Sequence, residues 1–98
     1  MYIFLRKDID STYQIIQAGH ALFEHALILN EKPSDISSFC LLEAKDEDDL
    51  KKIASELEMK NINFTIFYEP DISSYTSICV GPVYGKERKK FSKYKLFK

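Results

Sequence analysis

The sequence has no long apolar run, no paired-cysteine motif and no glycine-rich loop. No stretch approaches the roughly 18 consecutive apolar residues of a membrane-spanning helix, so we expect no membrane segment. Cys40 and Cys79 lie in separate apolar runs with no histidine beside them, which favours two buried free thiols over a disulfide or a metal site. Without a phosphate-binding glycine loop or metal-ligand spacing, an NTPase or a metalloenzyme is disfavoured, and we expect no cofactor.

The first residues also lack the basic segment and apolar core of a signal peptide, so we expect a cytoplasmic protein. What is present suits one small folded domain. Of the 98 residues, 45% are hydrophobic and 13% are aromatic. This apolar fraction is enough to build a single core, which argues against wholesale disorder.

The net charge of −1 hides a strong asymmetry along the chain. Residues 1–85 carry 7 Lys and Arg against 14 Asp and Glu, whereas residues 86–98, the basic tail, carry 7 basic residues against one glutamate. Phe91, Tyr94 and Phe97 recur every third residue among these cations. Cations suit phosphates and rings suit base stacking, so the tail predicts a nucleic-acid contact. The alternative is that the three rings dock the tail on a domain formed by residues 1–85 and the lysines are merely solvated.

Apolar periodicity predicts alternating strands and helices. Strands are expected at residues 2–5, 39–42, 63–68 and 75–80. Helices are expected from Ser11 or Thr12 to about Leu29 and from Asp46 onward, with a loop at 30–35 between the first helix and the second strand. Helical crossovers join parallel strands, and the short turn at 70–74 allows an antiparallel neighbour. We therefore expect an α/β fold with a small four-stranded mixed sheet and covering helices.

The first predicted helix combines apolar residues with a polar seam. Its apolar faces are expected to come from Ile15, Ile16, Ala18, Leu22, Ala26 and Leu29. The seam, at intervals of four, three and four residues, consists of Tyr13, Gln17, His20 and Glu24. A polar seam on a half-buried helix indicates a functional site or an internal hydrogen-bond network, because unpaired polar groups are costly to bury. By itself His20 is expected to be a structural histidine, and His25, off the seam, is expected to be a surface or rim residue.

Three short segments occur in a distinctive order. A strand-like run ends in Arg6-Lys7-Asp8, the following helix carries Gln17-Ala-Gly-His20-Ala, and Gly81-Pro82 follows the last strand. This order resembles the type II peptidyl-tRNA hydrolases, in which a strand ending in Arg-Lys-Asp-Leu precedes a helix reading Gly-Lys-x-x-x-Gln-x-x-His-Ala. The resemblance implies a compact four-stranded mixed sheet and hydrolysis of the ester between tRNA and a peptidyl or N-blocked aminoacyl group. The chain is similar to a shortened, divergent branch of the phage-encoded kind.

The resemblance implies roles for individual residues. Gln17 matches the family glutamine thought to orient the ester or the attacking water, and His20 matches the histidine that follows it. Counted back from Gly81-Pro82, Thr76 falls on the family's strand threonine. Contacts to the tRNA would come from residues that are cationic or donate hydrogen bonds, namely Arg6, Lys7, Tyr13, Lys89, Lys90 and Lys93.

Two departures from the family pattern affect the chemistry. Four residues before its glutamine the family has a lysine, where this chain has Tyr13. Tyrosine can donate a hydrogen bond but supplies no permanent positive charge, so we expect slower chemistry. The family's Asp-Ala-Gly-x-Thr motif is replaced by Glu69-Pro70-Asp71, and either acid aligns with the family aspartate depending on a small gap. An acidic pair around a proline is also ordinary turn chemistry.

Together these residues predict a site at the strand ends. We expect Gln17, His20 and an acid from the Glu69/Asp71 pair to converge on one cleft beside Lys7. Three functions stay open: a hydrolase of peptidyl-tRNA or N-blocked aminoacyl-tRNA, a non-catalytic binder of tRNA, nucleotide or protein on the same scaffold, and a module whose tail docks another chain. A homodimer or another protein partner is compatible with each.

Overall fold

The computed structural model describes residues 1–29 and 39–98, which form an α/β fold. Its strands and helices are β1 (Tyr2–Arg6), α1 (Ser11–Ile28), β2 (Cys40–Ala44), α2 (Glu47–Met59), β3 (Phe64–Glu69) and β4 (Ser74–Val80). Short 3-10 helices cover Pro70–Ile72 and Gly85–Phe91. The predicted fold class, a small four-stranded mixed sheet with covering helices, is confirmed. The expected loop at 30–35 lies outside the described residues.

The strand order in the sheet is β2-β1-β4-β3. β1 is parallel to β2 and antiparallel to β4, and β4 is antiparallel to β3. Since β1 and β3 both run against β4, they point the same way. The last residues of β1, β2 and β3 therefore lie at one end of the sheet together with the first residues of β4. We call this the carboxyl end of the sheet.

Helix α2 covers one face of the sheet and forms the larger core. Its buried residues Leu50, Ile53 and Leu57 pack with Phe4 and Ile78 from the central strands. These three lie on one side of the helix because they follow the i, i+3, i+7 spacing of an amphipathic helix. The helix begins where the Asp46 side chain accepts a 2.9 Å hydrogen bond from the backbone N–H of Asp49, which satisfies an otherwise unpaired donor.

Helix α1 covers the opposite face, and it is turned differently from the sequence prediction. The residues it buries against the sheet are Gln17, Ala21 and His25, whereas Ile15 and Ile16 are exposed. The predictions that Ile15, Ile16 and Ala26 supply buried apolar faces and that His25 lies at the surface are therefore wrong. The physical reason is that the sheet beneath α1 offers hydrogen-bond partners to two polar side chains of this helix.

The basic tail packs on the α2 face and is part of the core. Phe91 is 3% exposed, and its ring stacks on that of Tyr2 with centroids 4.2 Å apart. Tyr94 meets Phe4 edge-on at 4.8 Å and donates a 3.0 Å hydrogen bond from its hydroxyl to Glu56. The aromatic residues thus dock the tail, as one of the two sequence interpretations expects.

Beyond Tyr94 the chain runs along the outer edge of β2. The backbone N–H of Glu43 donates to the carbonyl of Lys95 at 2.8 Å, and the N–H of Phe97 donates to the carbonyl of Leu41 at 2.9 Å. These bonds cover a strand edge that would otherwise expose unpaired backbone groups. A chain cut before residue 86 would lose both this edge and part of the core.

Both cysteines are free thiols, but only Cys79 is buried, and Cys40 is half-buried. Burial raises the pKa of the Cys79 thiol to about 11. Within residues 1–29 and 39–98, no helix is both long and apolar enough to cross a membrane.

Candidate active site

A buried chain of three polar side chains links α1 to the sheet near its carboxyl end. Gln17 Nε2 donates a 2.8 Å hydrogen bond to Oε1 of Glu69, the last residue of β3. The hydroxyl of Thr76 on β4 donates to Gln17 Oε1 at 2.7 Å. All three residues are buried. The structure thus brings together three of the five residues predicted to be catalytic, although their roles stay predictions.

An irregularity in the sheet explains how β4 reaches α1 with two successive side chains. Phe67 pairs with Ser77 and Tyr68 pairs with Tyr75, so Thr76 is an extra residue on β4. Successive side chains of a regular strand point to opposite faces, whereas a bulge re-aims one of them. Accordingly both Thr76 and Ser77 bond to Gln17, Ser77 through a 2.8 Å hydrogen bond from Oγ to the backbone carbonyl.

The carboxylate of Glu69 is the chemically distinctive group of this cluster. Glu69 is 8% exposed, and its Oε1 is held by Gln17. No donor in the described part of the chain reaches its Oε2. A carboxylate oxygen has lone pairs for more than one hydrogen bond, so Oε2 is left to accept one from a water molecule or a substrate.

Arg6 lies at the same end of the sheet, with its donors already engaged. Its Nη1 donates to Ser74 Oγ at 3.1 Å and to the Tyr75 carbonyl at 3.0 Å. Its Nε and Nη2 each donate to the Asp8 carboxylate at 2.8 Å. The hydrogen bonds between them raise the pKa of Arg6 and lower that of Asp8. Arg6 therefore ties the end of β1 to the start of β4.

The Lys7 side chain contacts Glu43 and the tail. Its Nζ lies 3.6 Å from the Glu43 carboxylate, donates to the backbone carbonyl of Lys98 and sits 4.9 Å from the centre of the Phe97 ring. The partners of Lys7 are therefore Glu43 and the tail, and the expectation that a cleft containing Gln17 lies beside it stays a prediction.

Of the remaining predicted residues, none reaches the polar cluster. The exposed His20 ring stacks nearly parallel on Phe67, with centroids 4.6 Å apart. Since Phe67 lies two residues before Glu69 on the same strand, His20 covers the neighbouring part of the same sheet face. Asp71 is exposed in the Pro70–Ile72 turn, and Tyr13 is half-buried. Glu69, not Asp71, is thus the acid that meets Gln17.

Lys90 and Lys93 lie on the α2 side of the sheet, across the sheet from Gln17. Lys90 pairs with Glu87 at 2.6 Å and Lys93 pairs with Glu56 at 3.2 Å. Lys89 is exposed and forms no ion pair with any residue that the structure describes. A ligand that touched both these cations and Glu69 would have to pass around an end or edge of the sheet.

Sequence reasoning missed a second buried polar contact on α1. His25 Nε2 lies 2.6 Å from the carbonyl oxygen of Gly81, and Nδ1 lies 2.8 Å from Thr65 Oγ1. Because a carbonyl can only accept, Nε2 carries the hydrogen and donates it. The sequence does contain a signal for the burial of His25. Gln17, Ala21 and His25 recur every four residues, so they lie on the same side of the helix.

In comparisons with known proteins, no protein-family model matches the chain and no curated protein is significantly similar to it in sequence. The resemblance to type II peptidyl-tRNA hydrolases therefore rests on the residues quoted above, and family membership stays a prediction. In the described residues, no group of three or more His, Cys, Asp or Glu side chains is arranged to hold a metal ion.

Proposed function

We propose that the protein is a peptidyl-tRNA hydrolase-like enzyme of the cytoplasm that cleaves the ester of peptidyl- or N-blocked aminoacyl-tRNA. The observation that carries this proposal is the buried Glu69 carboxylate, with Oε1 held by Gln17 and Oε2 left to accept a hydrogen bond. A carboxylate held in this way can act as a general base toward water. Its position at the end of the third strand also agrees with the acid that the family resemblance implies.

In the proposed reaction a water molecule attacks the ester carbonyl carbon while Glu69 takes a proton from it. The bond between that carbon and the ribose oxygen then breaks, and Glu69 returns the proton to the ribose oxygen. Gln17 is a positioning residue because it acts through Glu69. The Thr76 hydroxyl occupies Gln17 Oε1, which directs the amide Nε2 toward the carboxylate.

We expect the proposed ester hydrolysis to be slow, because the positive charge of the family's lysine is missing. Tyr13 stands where the family has a lysine, and a phenol supplies no full positive charge to a developing oxyanion. Arg6 is a cation held at the start of β4, but its donors are taken by Asp8, Ser74 and the Tyr75 carbonyl. We therefore expect turnover well below that of an enzyme with the lysine in place.

A deacylation assay on N-acetyl-aminoacyl-tRNA tests the proposal, with free aminoacyl-tRNA as the substrate control. Glu69→Gln keeps the size of the side chain and removes the base, so we expect the rate to fall by about 100-fold or more. Asp71→Asn is the matched control, because Asp71 is exposed and outside the cluster. Loss of activity in Asp71→Asn with retention in Glu69→Gln would overturn the assignment of the base.

The proposed contact with tRNA is electrostatic and uses Lys7 and the tail cations Lys89, Lys90 and Lys93. Each phosphate contact contributes a log–log salt slope of about 0.7 to 0.9 through counterion release. The variant Lys89→Gln/Lys90→Gln/Lys93→Gln should therefore bind tRNA more weakly and with a shallower salt dependence. If the affinity for tRNA and its salt dependence were both unchanged, the tail would have a structural role and would not bind RNA.

A non-catalytic binding module is the second candidate, and the complete burial of Gln17 favours it. In that case the Glu69–Gln17–Thr76 chain is an internal hydrogen-bond network that joins helix to sheet. Retained tRNA binding without deacylation would support this alternative over the enzyme.

A further inference from the structure

The outer side of α1 is apolar along most of its length. Ile15, Phe23 and Leu27 are 76%, 66% and 70% exposed, and Ile16 beside them is also exposed. Gly19 lies between them, and a side chain added there would meet nothing within 4 Å. We call Ile15, Ile16, Gly19, Phe23 and Leu27 the apolar face of α1. It is independent of the Glu69 cluster, which lies on the inner side of the same helix.

Four of these residues form a row that is complementary to itself. Ile15, Gly19, Phe23 and Leu27 follow at intervals of four, so they form a single ridge on the helix. Suppose that two copies of α1 pack antiparallel, with the two-fold axis on the outer side of the helix midway between Gly19 and Phe23. Phe23 of each copy then faces Gly19 of the other. Ile15 then faces Leu27. Phe23, the largest side chain of the row, thus packs on Gly19, which has no side chain. The two-fold symmetry produces this contact twice.

The charges of α1 favour a second copy over other occupants. The helix contains no Lys or Arg, and Glu24 is its one acid. A helix that lies on a membrane surface carries cations on its polar face to meet anionic lipid, and α1 has none. The helix also offers no charge pattern that would select a strongly acidic or basic partner. With no charge to select a partner, recognition has to depend on steric complementarity. The row of Ile15, Gly19, Phe23 and Leu27 is sterically complementary to a second copy of the same row.

The exposed area of the apolar face of α1 also matches the area that a protein–protein interface buries. The four large side chains expose roughly 500 Å² of apolar surface, if a whole side chain of this size is taken as about 200 Å². A standard interface buries about 800 Å² per partner, of which about 56–65% is apolar. The apolar face therefore supplies the apolar share of one ordinary interface.

We propose that the protein forms a symmetric homodimer through the apolar face of α1, with Phe23 of each subunit packed over Gly19 of the other. The interface is isologous, so the assembly closes at two copies. Because Gly19 has no side chain, the ring of the partner's Phe23 fits between the helices at the usual interaxial distance of about 8–10 Å.

Sedimentation equilibrium of the whole chain tests the dimer. We expect a mass of twice 11.4 kDa with a dissociation constant in the micromolar range or tighter. Phe23→Glu should raise this constant by about 30-fold or more, as expected for an aromatic side chain at an interface centre. Met59→Glu, which changes an exposed apolar residue at the end of α2, should leave it unchanged.

The variant Gly19→Leu distinguishes the proposed interface from non-specific hydrophobic association. The monomer accommodates the new side chain, because the position is open and leucine is a better helix former than glycine. In the proposed dimer it fills the space of the partner's Phe23, so association should weaken about tenfold or more. A monomeric wild type at concentrations of about 1 mM, or tighter association of Gly19→Leu, would overturn the proposal. Circular dichroism of each variant confirms that it is folded.

Discussion

Gln17 on α1 and Glu69 at the end of β3 are 52 residues apart in the chain and are joined by a buried hydrogen bond of 2.8 Å. The amide of Gln17 also accepts a hydrogen bond from Thr76 on β4. A single polar chain therefore holds α1 against two strands at a place where a helix of this kind would ordinarily bury apolar side chains. The apolar core on this face is correspondingly small, with Ile3, Ala21, Phe67 and Cys79 as its buried members.

A double-mutant cycle between Gln17 and Glu69 tests this hydrogen bond. Gln17→Leu leaves a buried carboxylate without its partner, so we expect the free energy of unfolding to fall by about 2–4 kcal/mol. Gln17→Leu/Glu69→Leu removes both groups and should be more stable than the sum of the single effects predicts, by about 1–3 kcal/mol. Urea denaturation measures all four proteins, and strictly additive effects would contradict the coupling.

The two histidines of α1 should respond very differently to truncation. His25→Ala removes a buried ring and leaves the Gly81 carbonyl and Thr65 hydroxyl without their partner, so we expect a loss of about 3 kcal/mol in unfolding free energy. His20→Ala is the matched control on the same helix and should cost less than about 1 kcal/mol, because His20 is exposed and only stacks on Phe67. Thermal denaturation of both variants provides the comparison, and equal losses would conflict with the structure.

The tail should stabilise the fold through its aromatic residues and not through its charges. Phe91→Ala opens a cavity in the core beside Tyr2, and we expect it to lower the unfolding free energy by about 3–4 kcal/mol. The charge variant Lys89→Gln/Lys90→Gln/Lys93→Gln removes two ion pairs and the contact of Lys93 with the Tyr94 ring, and each should cost less than about 1 kcal/mol. Chemical denaturation distinguishes them, and a stable Phe91→Ala protein would show that the tail does not complete the core.

Alkaline pH should weaken the contact between the tail and α2. Burial, and then the hydrogen bond to Glu56, raise the pKa of Tyr94 from 10.0 to about 12. A phenol with a raised pKa stabilises the folded state fully below pH 10, and this contribution is lost as the pH rises toward 12. The difference in tyrosinate absorbance between the wild type and Tyr94→Phe isolates this group. A titration midpoint near 10 would show that Tyr94 is neither buried nor bonded to Glu56.

Helix α2 and the strands illustrate what could be read from the sequence. Leu50, Ile53 and Leu57 have the spacing of the apolar side of a helix in the sequence alone, and the structure buries all three. The predicted strand 75–80 differs from the observed Ser74–Val80 by one residue. Such features depend on local periodicity and on short-range capping, so the chain carries their signals within a few residues.

The site was only partly predictable. The pairing of Gln17 with an acid from the Glu69/Asp71 pair was expected, but which acid it would be depended on an alignment gap that the sequence left open. The bulge that makes Thr76 and Ser77 both face α1 has no local signature in the sequence. The contacts of Lys7 with Phe97 and Lys98 in the tail also join residues that are far apart in the chain. They could not be predicted from either segment alone.

By itself the sequence determined the order of the elements, the mixed α/β class and the set of residues that share each helical strip, because all of these follow from backbone geometry and nearest-neighbour spacing. Which strip of α1 faces the sheet was decided by the tertiary structure alone. Glu69 and Thr76 offer partners to Gln17, and Thr65 and the Gly81 carbonyl offer partners to His25. Buried polar groups must be paired, so α1 turns these two side chains inward and leaves Ile15, Phe23 and Leu27 outside.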